Sequence, residues 1–338
     1  MYTGHNQRLE LERLHALASL AIAGYPSAYN GQLTLLCLSE NATYALTTPA
    51  GQRYVLRLHR PNYHEHSAIA SELAWLSALQ ADGLQVPVAI AGVNGEYIQQ
   101  AGANPAERRW AVLFEWIDGS EPDPQQALDG AFQRLGAINA RLHRHARNWQ
   151  RPTGFQRLTW DHQSMLGANG HWGRWQDAPY LDGPGCELIS TTLVQVQQRM
   201  QAYGKGPQRF GLIHADLRLA NLLVDDQQTR VIDFDDCGFG WYMHDLAAAL
   251  SFHEHHTDAP QWIDSWLQGY GRIAQPDQAD LQILPTLIIQ RRLQLLAWTG
   301  SHRGTPTVEG LGSTWVSWTL QLCRSYLQDR GVGSHLSA

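Results

Sequence analysis

Lysine is all but missing from this chain of 338 residues, where Lys205 stands alone beside abundant arginine. No run of five basic residues occurs, and the formal net charge is −6. A surface that grips nucleic-acid phosphates needs a basic patch, which argues against a nucleic-acid binder. Long apolar runs are missing as well. A membrane-spanning helix needs roughly 20 apolar residues, and no such stretch exists. The N-terminal segment carries acids and a helical rhythm in place of a signal peptide's basic start and apolar centre. A cytoplasmic protein without membrane contact is therefore expected. Cysteine is sparse: Cys37, Cys186, Cys237 and Cys323 are scattered and form no CxxC. That argues against a disulfide framework and a structural zinc site.

What is present describes a folded chain. Hydrophobic residues make up 43% and charged residues 17%, which fits a globular composition. The length exceeds one small core and suits two lobes, as a monomer or a homodimer. Leu9, Leu14, Leu17, Leu20 and Ala21 recur at helical spacing over residues 7–23. "QLTLLCLSENATYAL" and "QRYVLRLHRP" read as strands joined by the turn "TTPAGQ". "SAIASELAWLSALQADG" is an amphipathic helix, with Ser67 expected as its cap and Gly83 as its stop. "VPVAIAGVNGEYIQQ" and "RRWAVLFEWIDG" return to strands, with Asn94-Gly95 as a tight turn. Beyond Gly119, "PQQALDGAFQRLGAINARLHRHARNW" is a long helix, and after an irregular stretch at 150–186 the chain is largely helical. The expectation is an α+β plan: a β-rich lobe over 1–115 and a helical lobe over 116–338, hinged near Phe114 to Gly119.

The helical part is interrupted once, by the acid-rich "GLIHADLRLANLLVDDQQTRVIDFDDCGFG". Each carboxylate in such an apolar setting costs free energy unless it is paired or bound to a metal. His214, Asp216 and Asn221 follow the apolar run 210–213, and Asp233 closes another one. Between them, two short strands and a "DDQQT" turn form a hairpin that folds the chain back. Asn221 and Asp233 can then share one hard cation through oxygen, which suits Mg²⁺. Asp225 and Asp226 are ordinary turn acids. One carboxylate to accept a hydroxyl proton, with an Asn and an Asp for the metal, is the general toolkit of phosphoryl transfer from ATP.

Here the chain resembles the aminoglycoside phosphotransferase/choline kinase group of the protein-kinase-like superfamily. "HADLRLAN" stands where that group has HxDxxxxN, and "IDFDD" where protein kinases have DFG. The resemblance implies a bilobal protein-kinase-like fold, with a small antiparallel β lobe and a larger helical lobe, and an ATP- and Mg²⁺-dependent enzyme. Asp216 would be the catalytic carboxylate, with His214 bracing its loop. Arg57, in a strand, would replace the usual Lys on the ATP phosphates, oriented by Glu72. There is no GxGxxG; "CLSENATYAL" takes its place, with Ser39, Asn41 and Thr43 offered to phosphate oxygens. "VLFEWIDG" matches the adenine hinge, with Glu115, Trp116 and Ile117 presenting backbone groups. Phe114 or Trp116 would pack against the base. Asp245 resembles the helix Asp that holds the catalytic-loop backbone.

Asp235 and Asp236 are candidates for a second Mg²⁺ or for a substrate ammonium. Trp241 is a candidate wall of the acceptor site, and Arg291 or Arg292 would bind a substrate carboxylate bidentately. Together these point to a hydroxylated amine or amino acid resembling homoserine. Only a few residues separate "DFDD" from "WYMHDLA", too short a gap for a peptide-docking activation loop, which favours a small acceptor. A protein Ser/Thr kinase of the bacterial stress-response type and a non-catalytic pseudokinase remain as alternatives. "HEHH" at 253–256 lacks the HExxH spacing for a metal, and His143 and His145 read as surface residues.

Overall fold

The computed structural model describes residues 2–102, 104, 107–123, 128–225 and 228–337. Two compact units emerge. One is Met1–Gly119 with Arg151–Gln156 and Arg230–Asp235; the other is Ser120–Gln150, Arg157–Thr229 and Asp236–Ala338. Where a single cut at 115/116 was expected, the chain re-enters the first unit twice more.

In the first unit the elements run α1 (Tyr2–Ile22), β1 (Gln32–Leu38), β2 (Ala42–Thr47), β3 (Arg53–Leu58), α2 (His66–Ala81), β4 (Ile98–Ala101) and β5 (Arg109–Glu115). The strands form one antiparallel sheet in the order β1-β2-β3-β5-β4. Strand side chains alternate between faces. Tyr44, Leu46, Leu56 and Leu58 share one core with Leu14, Leu17, Ala18 and Ala21 of α1. Each such leucine contributes about 1.5–3 kcal/mol on burial. The alternation sends Val55 and Arg57 to the opposite face, so a charged residue can occupy a central strand. In the turn from β2 to β3, Thr48 donates its N–H to Gln52 O at 2.9 Å. Gly51 there takes φ +79°, the left-handed region a glycine enters without penalty.

Two local expectations change. Ser67 does not cap α2; its hydroxyl donates to Gln156 Oε1 at 2.9 Å, and Gln156 N–H donates to Ser71 Oγ at 2.9 Å. Those hydroxyls tie the segment 151–156 to the helix. The run "VPVAI" forms no strand, only an isolated bridge between Ala89 and Phe114. Pro87 lacks the N–H that a ladder would need there.

The second unit contains α3 (Asp129–Asn148), β6 (Leu158–Trp160), α4 (His162–Leu166), α5 (Gly183–Tyr203), β7 (Phe210–Ile213) and β8 (Leu222–Val224). After β9 (Thr229–Val231), which carries the chain back into the first unit, come β10 (Gly238–Trp241), α6 (His244–Ala249), α7 (Ala259–Gly271), α8 (Gln278–Ser301) and α9 (Pro306–Leu327). Strand β10 is central, parallel to β6 and antiparallel to β7. Helices α3 and α7 meet through Gly136 and Gly269. A Cβ at either would collide with a backbone carbonyl of the other helix. The start expected for α3, at 124–127, lies outside the described residues. In the hairpin turn Gln228 N–H donates to Asp225 Oδ1 at 2.8 Å; Asp226 lies outside the described residues. Among the described residues no helix is long and apolar enough to cross a membrane.

Candidate active site

In the first unit, Arg57 reaches from β3 to α2, where its Nη2 donates to Glu72 Oε1 at 2.6 Å. Both are buried, at 8% and 1% exposure. A further nitrogen lies 3.9 Å from Asp233 Oδ1. Burial works against the guanidinium charge, but Glu72, then Asp235 and Asp233, hold it protonated, above its usual range. Phe234 packs edge-on against Trp75 of α2, one helical turn from Glu72, with ring centres 5.5 Å apart. This buried ring fixes the segment that carries Asp233 against the helix that orients Arg57. Asp233 itself is exposed and sits at φ +62°. A non-glycine residue there stores strain of order 1–3 kcal/mol, a feature that clusters at functional sites.

Thr43 lies across from Arg57 in the β2–β3 register. Ser39 is exposed at the turn, its N–H donating to Asn41 O at 3.2 Å. Asn41 is not free for phosphate oxygens. Its Nδ2 donates to Asp235 Oδ2 at 2.9 Å, and its Oδ1 accepts the Arg60 N–H at 2.9 Å. Asp235, expected on a second metal or an ammonium, is a buried brace instead. It also lies 3.3 Å from His59 Nδ1, and its carbonyl faces His64 Nε2 at 2.7 Å. Burial would raise its carboxyl; the contact with His59 and the charge of Arg57 hold it well below the usual range.

At the hinge segment, Glu115 N–H donates to Val88 O at 2.9 Å. Trp116 does not offer an open ring to a base: the Arg53 guanidinium lies 4.1 Å from the ring centre, and its Nε1 donates to Asp118 Oδ1 at 3.0 Å. Phe114 lies under Arg57, at 5.1 Å from the ring centre. Ile117 follows Trp116 in the same irregular segment.

In the second unit, His214, Ala215 and Asp216 follow β7 directly. Asp245 of α6 holds this loop by its backbone: Oδ1 accepts Ala215 N–H at 2.8 Å and Oδ2 accepts His214 N–H at 3.3 Å. Ala215 is thereby kept at φ +70°. His214 is fully buried, and its Nδ1 accepts the Asp216 N–H at 3.4 Å. Asn221 Nδ2 donates to Asp216 O at 2.8 Å and to Asp216 Oδ2 at 3.3 Å. The amide nitrogen is thus spent on Asp216, and the Asn221 carbonyl oxygen is the side chain's hard donor atom. In the first unit the exposed Asp233 carboxylate is a second hard oxygen donor, the chemical type that Mg²⁺ takes.

Arg291 of α8 does not offer its charge to a substrate. Nη2 binds Asp216 Oδ1, Nε donates to Ser251 Oγ at 2.9 Å, and Nη1 donates to Gln294 Oε1 at 3.2 Å. Trp172 lies over its face, 4.9 Å from ring centre to Cζ. Arg292 is fully buried and bound to Glu254, Thr319 Oγ1 and Trp315 O, so it holds helices together and faces no substrate. Trp241 is likewise structural: it is 2% exposed, and its Nε1 donates to Gly204 O at 2.7 Å. Asp236 anchors β6 through its carbonyl, which accepts Trp160 Nε1–H at 2.7 Å.

His143, expected at the surface, is fully buried and belongs to the site's support. Its Nε2 lies 2.9 Å from Asp245 Oδ2 and its Nδ1 3.1 Å from the Tyr270 hydroxyl. A carboxylate only accepts, so Nε2 carries the proton and Nδ1 accepts from Tyr270. Burial keeps the imidazole neutral by lowering its pKa. For Asp245 burial acts upward, and the hydrogen bond from His143 together with the influence of His143, His214 and His244 outweighs it, holding the carboxyl below its usual range. The signal was available: Phe132, Gly136, Asn139, Ala140 and His143 continue one buried helical stripe of α3.

The comparisons bear on this arrangement. The chain matches the pattern of the Phosphotransferase enzyme family over residues 38–283, more than half its length. A solved structure of a microcompartment-associated aminopropanol kinase is 40% identical, covering 94% of this chain and 98% of that one, with a TM-score of 0.86. Amicoumacin kinase of Bacillus subtilis (strain 168) is 20% identical over 272 residues, 78% of each chain. The amicoumacin kinase hAmiN, in complex with AMP-PNP, Ca²⁺ and Ami, is 18% identical over 95% of this chain and 96% of that one, at a TM-score of 0.74. The chain therefore belongs to the Phosphotransferase enzyme family and has the mixed α+β, protein-kinase-like fold of these relatives.

Proposed function

We propose that this phosphotransferase moves the γ-phosphoryl group of ATP, with Mg²⁺, to the hydroxyl of a small amino alcohol. Asp216 accepts the hydroxyl proton. Asn221 and Asp233 hold the metal, which supplies charge neutralisation for the phosphates when bound. Arg57, oriented by Glu72, takes phosphate oxygens with the planar fork that an ammonium lacks. The protein's own contribution is positioning and fixed charge, since little covalent chemistry is needed for phosphoryl transfer.

One observation carries the acceptor class. Both arginines expected to bind a substrate carboxylate are spent on internal carboxylates, Arg291 on Asp216 and Arg292 on Glu254. A homoserine-like amino acid would bring an anion to positions whose cations are already neutralised. An amino alcohol brings none. The 40% identity to an aminopropanol kinase supports the same reading.

The test measures ADP release with Mg²⁺ and ATP across 1-amino-2-propanol, ethanolamine, homoserine and serine. The amino alcohols should give kcat/KM at least tenfold above the amino acids, the scale of one unpaired polar group. Homoserine as the fastest acceptor would reverse the assignment.

A further inference from the structure

We propose that Arg291 is a positioning residue of the transfer step, one that fixes the carboxylate plane of Asp216 so that Oδ2 receives the acceptor's proton. The inference rests on the reading of Asp216 as the base. In that step the acceptor hydroxyl gives its proton to Asp216 Oδ2 while its oxygen bonds to the γ-phosphorus. The bond from that phosphorus to the bridging oxygen breaks, and its electron pair leaves with ADP.

The two oxygens of Asp216 have unequal surroundings. Oδ1 is taken by Arg291 Nη2, a charge-assisted contact with a guanidinium only 1% exposed. Oδ2 has longer contacts, Asn221 Nδ2 at 3.3 Å and Arg218 Nε at 3.4 Å. Contacts of that length are weak and yield to a closer partner. The side chain of Arg218 is also 37% exposed, so water screens its contact with Oδ2. An acceptor hydroxyl therefore meets Oδ2.

Arg291 itself cannot turn. Nε is held by Ser251, Nη1 by Gln294 and Nη2 by Asp216, so the three nitrogens have three separate partners, while Trp172 covers the guanidinium plane. Ser251 follows α6, two turns after Asp245 has fixed the loop backbone. The loop backbone just before Asp216 and the carboxylate of Asp216 are thus held by different helices, α6 and α8. A lysine could supply the charge here but not the three-way fork.

Charge and positioning separate in kinetics. Arg291→Lys and the double variant Ser251→Ala/Gln294→Leu are assayed with ATP, Mg²⁺ and 1-amino-2-propanol, and in parallel for ATP hydrolysis, where water is the acceptor. Arg291→Lys should lose about 10²-fold in kcat, the cost of misplacing a reacting group by about 1 Å. The double variant, which keeps the Asp216–Arg291 charge pair, should lose about tenfold. KM for ATP should stay within about twofold in both, and nucleotide-induced thermal shifts should match wild type, because nothing on the nucleotide has changed. Full kcat in Arg291→Lys would show that charge alone suffices and overturn the proposal. Parallel losses of kcat and nucleotide binding would overturn it too, by marking general damage. Asp216→Asn serves as the reference. If that variant turns over normally, the reading of Asp216 as the base fails, independently of Arg291.

Discussion

Arg292 Nη1 donates to Glu254 Oε2 at 2.6 Å with both side chains fully buried, one position along α8 from the arginine that grips Asp216. Burial works against the Arg292 charge and lowers its pKa, and Glu254 opposes that shift. Removing one partner of such a pair strands a buried charge, at a typical cost of about 3–5 kcal/mol. Glu254→Gln should lose stability on that scale in urea unfolding. Replacing both, as Arg292→Met with Glu254→Leu, should recover most of it. Neither change should alter the acceptor KM; a KM that rises with the double variant would return Arg292 to the substrate.

Asp216→Ala removes the proposed proton acceptor while Arg57, Glu72 and Asp233 remain in the other unit. Transfer to the alcohol should fall by about 10²–10⁴-fold, the usual share of general-base catalysis. ATP with Mg²⁺ should still raise the melting temperature. Normal turnover in this variant would sink the assignment.

Glu72 is the acid that orients Arg57, and it is 1% exposed. Glu72→Gln keeps the size but removes the charge facing the guanidinium. Arg57 would then be drawn toward Asp235 and Asp233, which already act on it. The KM for ATP should rise about tenfold, since a charge-assisted contact of about 1.5–3 kcal/mol no longer positions the cation. An unchanged KM and kcat would show that Arg57 needs no orienting partner.

Asp216, Asn221 and Asp233 stood out as a candidate site because they lie in one short segment, where spacing and apolar flanks carry the meaning. Arg57 with Glu72 was legible too, since a strand followed by a helix needs few assumptions. Arg291 and Arg292 were not. They are identical neighbours, and a helix turns about 100° per residue, so one reaches Asp216 and the other reaches Glu254. Their partners lie 75 and 38 residues away, beyond any local pattern. His143 escaped for a related reason: its partners, Asp245 and Tyr270, come from helices 102 and 127 residues further on. Asn41 and Asp235 were misassigned as ligand groups because sequence shows a polar residue without showing that its bonds are already made.

His244 beside Asp245 predicts how the fold responds to acid. Both ring nitrogens are buried and lack hydrogen-bond partners among the described residues. Burial, then repulsion from Arg291, lowers its pKa to about 3, against opposing pulls from Asp245 and Asp216. An unfolded histidine titrates near 6.5. The unfolded chain therefore binds the proton first, and stability must fall as the pH drops through the interval from about 6.5 to about 3. The slope is about 1.4 kcal/mol per pH unit inside that window and zero above it. Asp245 acts in the same direction but only below the ordinary carboxylate range, so the two effects separate in pH. His244→Leu removes the titrating group. In urea unfolding at pH 6.5 and pH 5, wild type should lose about 1.6 kcal/mol more than the variant does. Equal losses in both proteins would mean that His244 finds a way to hold its proton in the folded state.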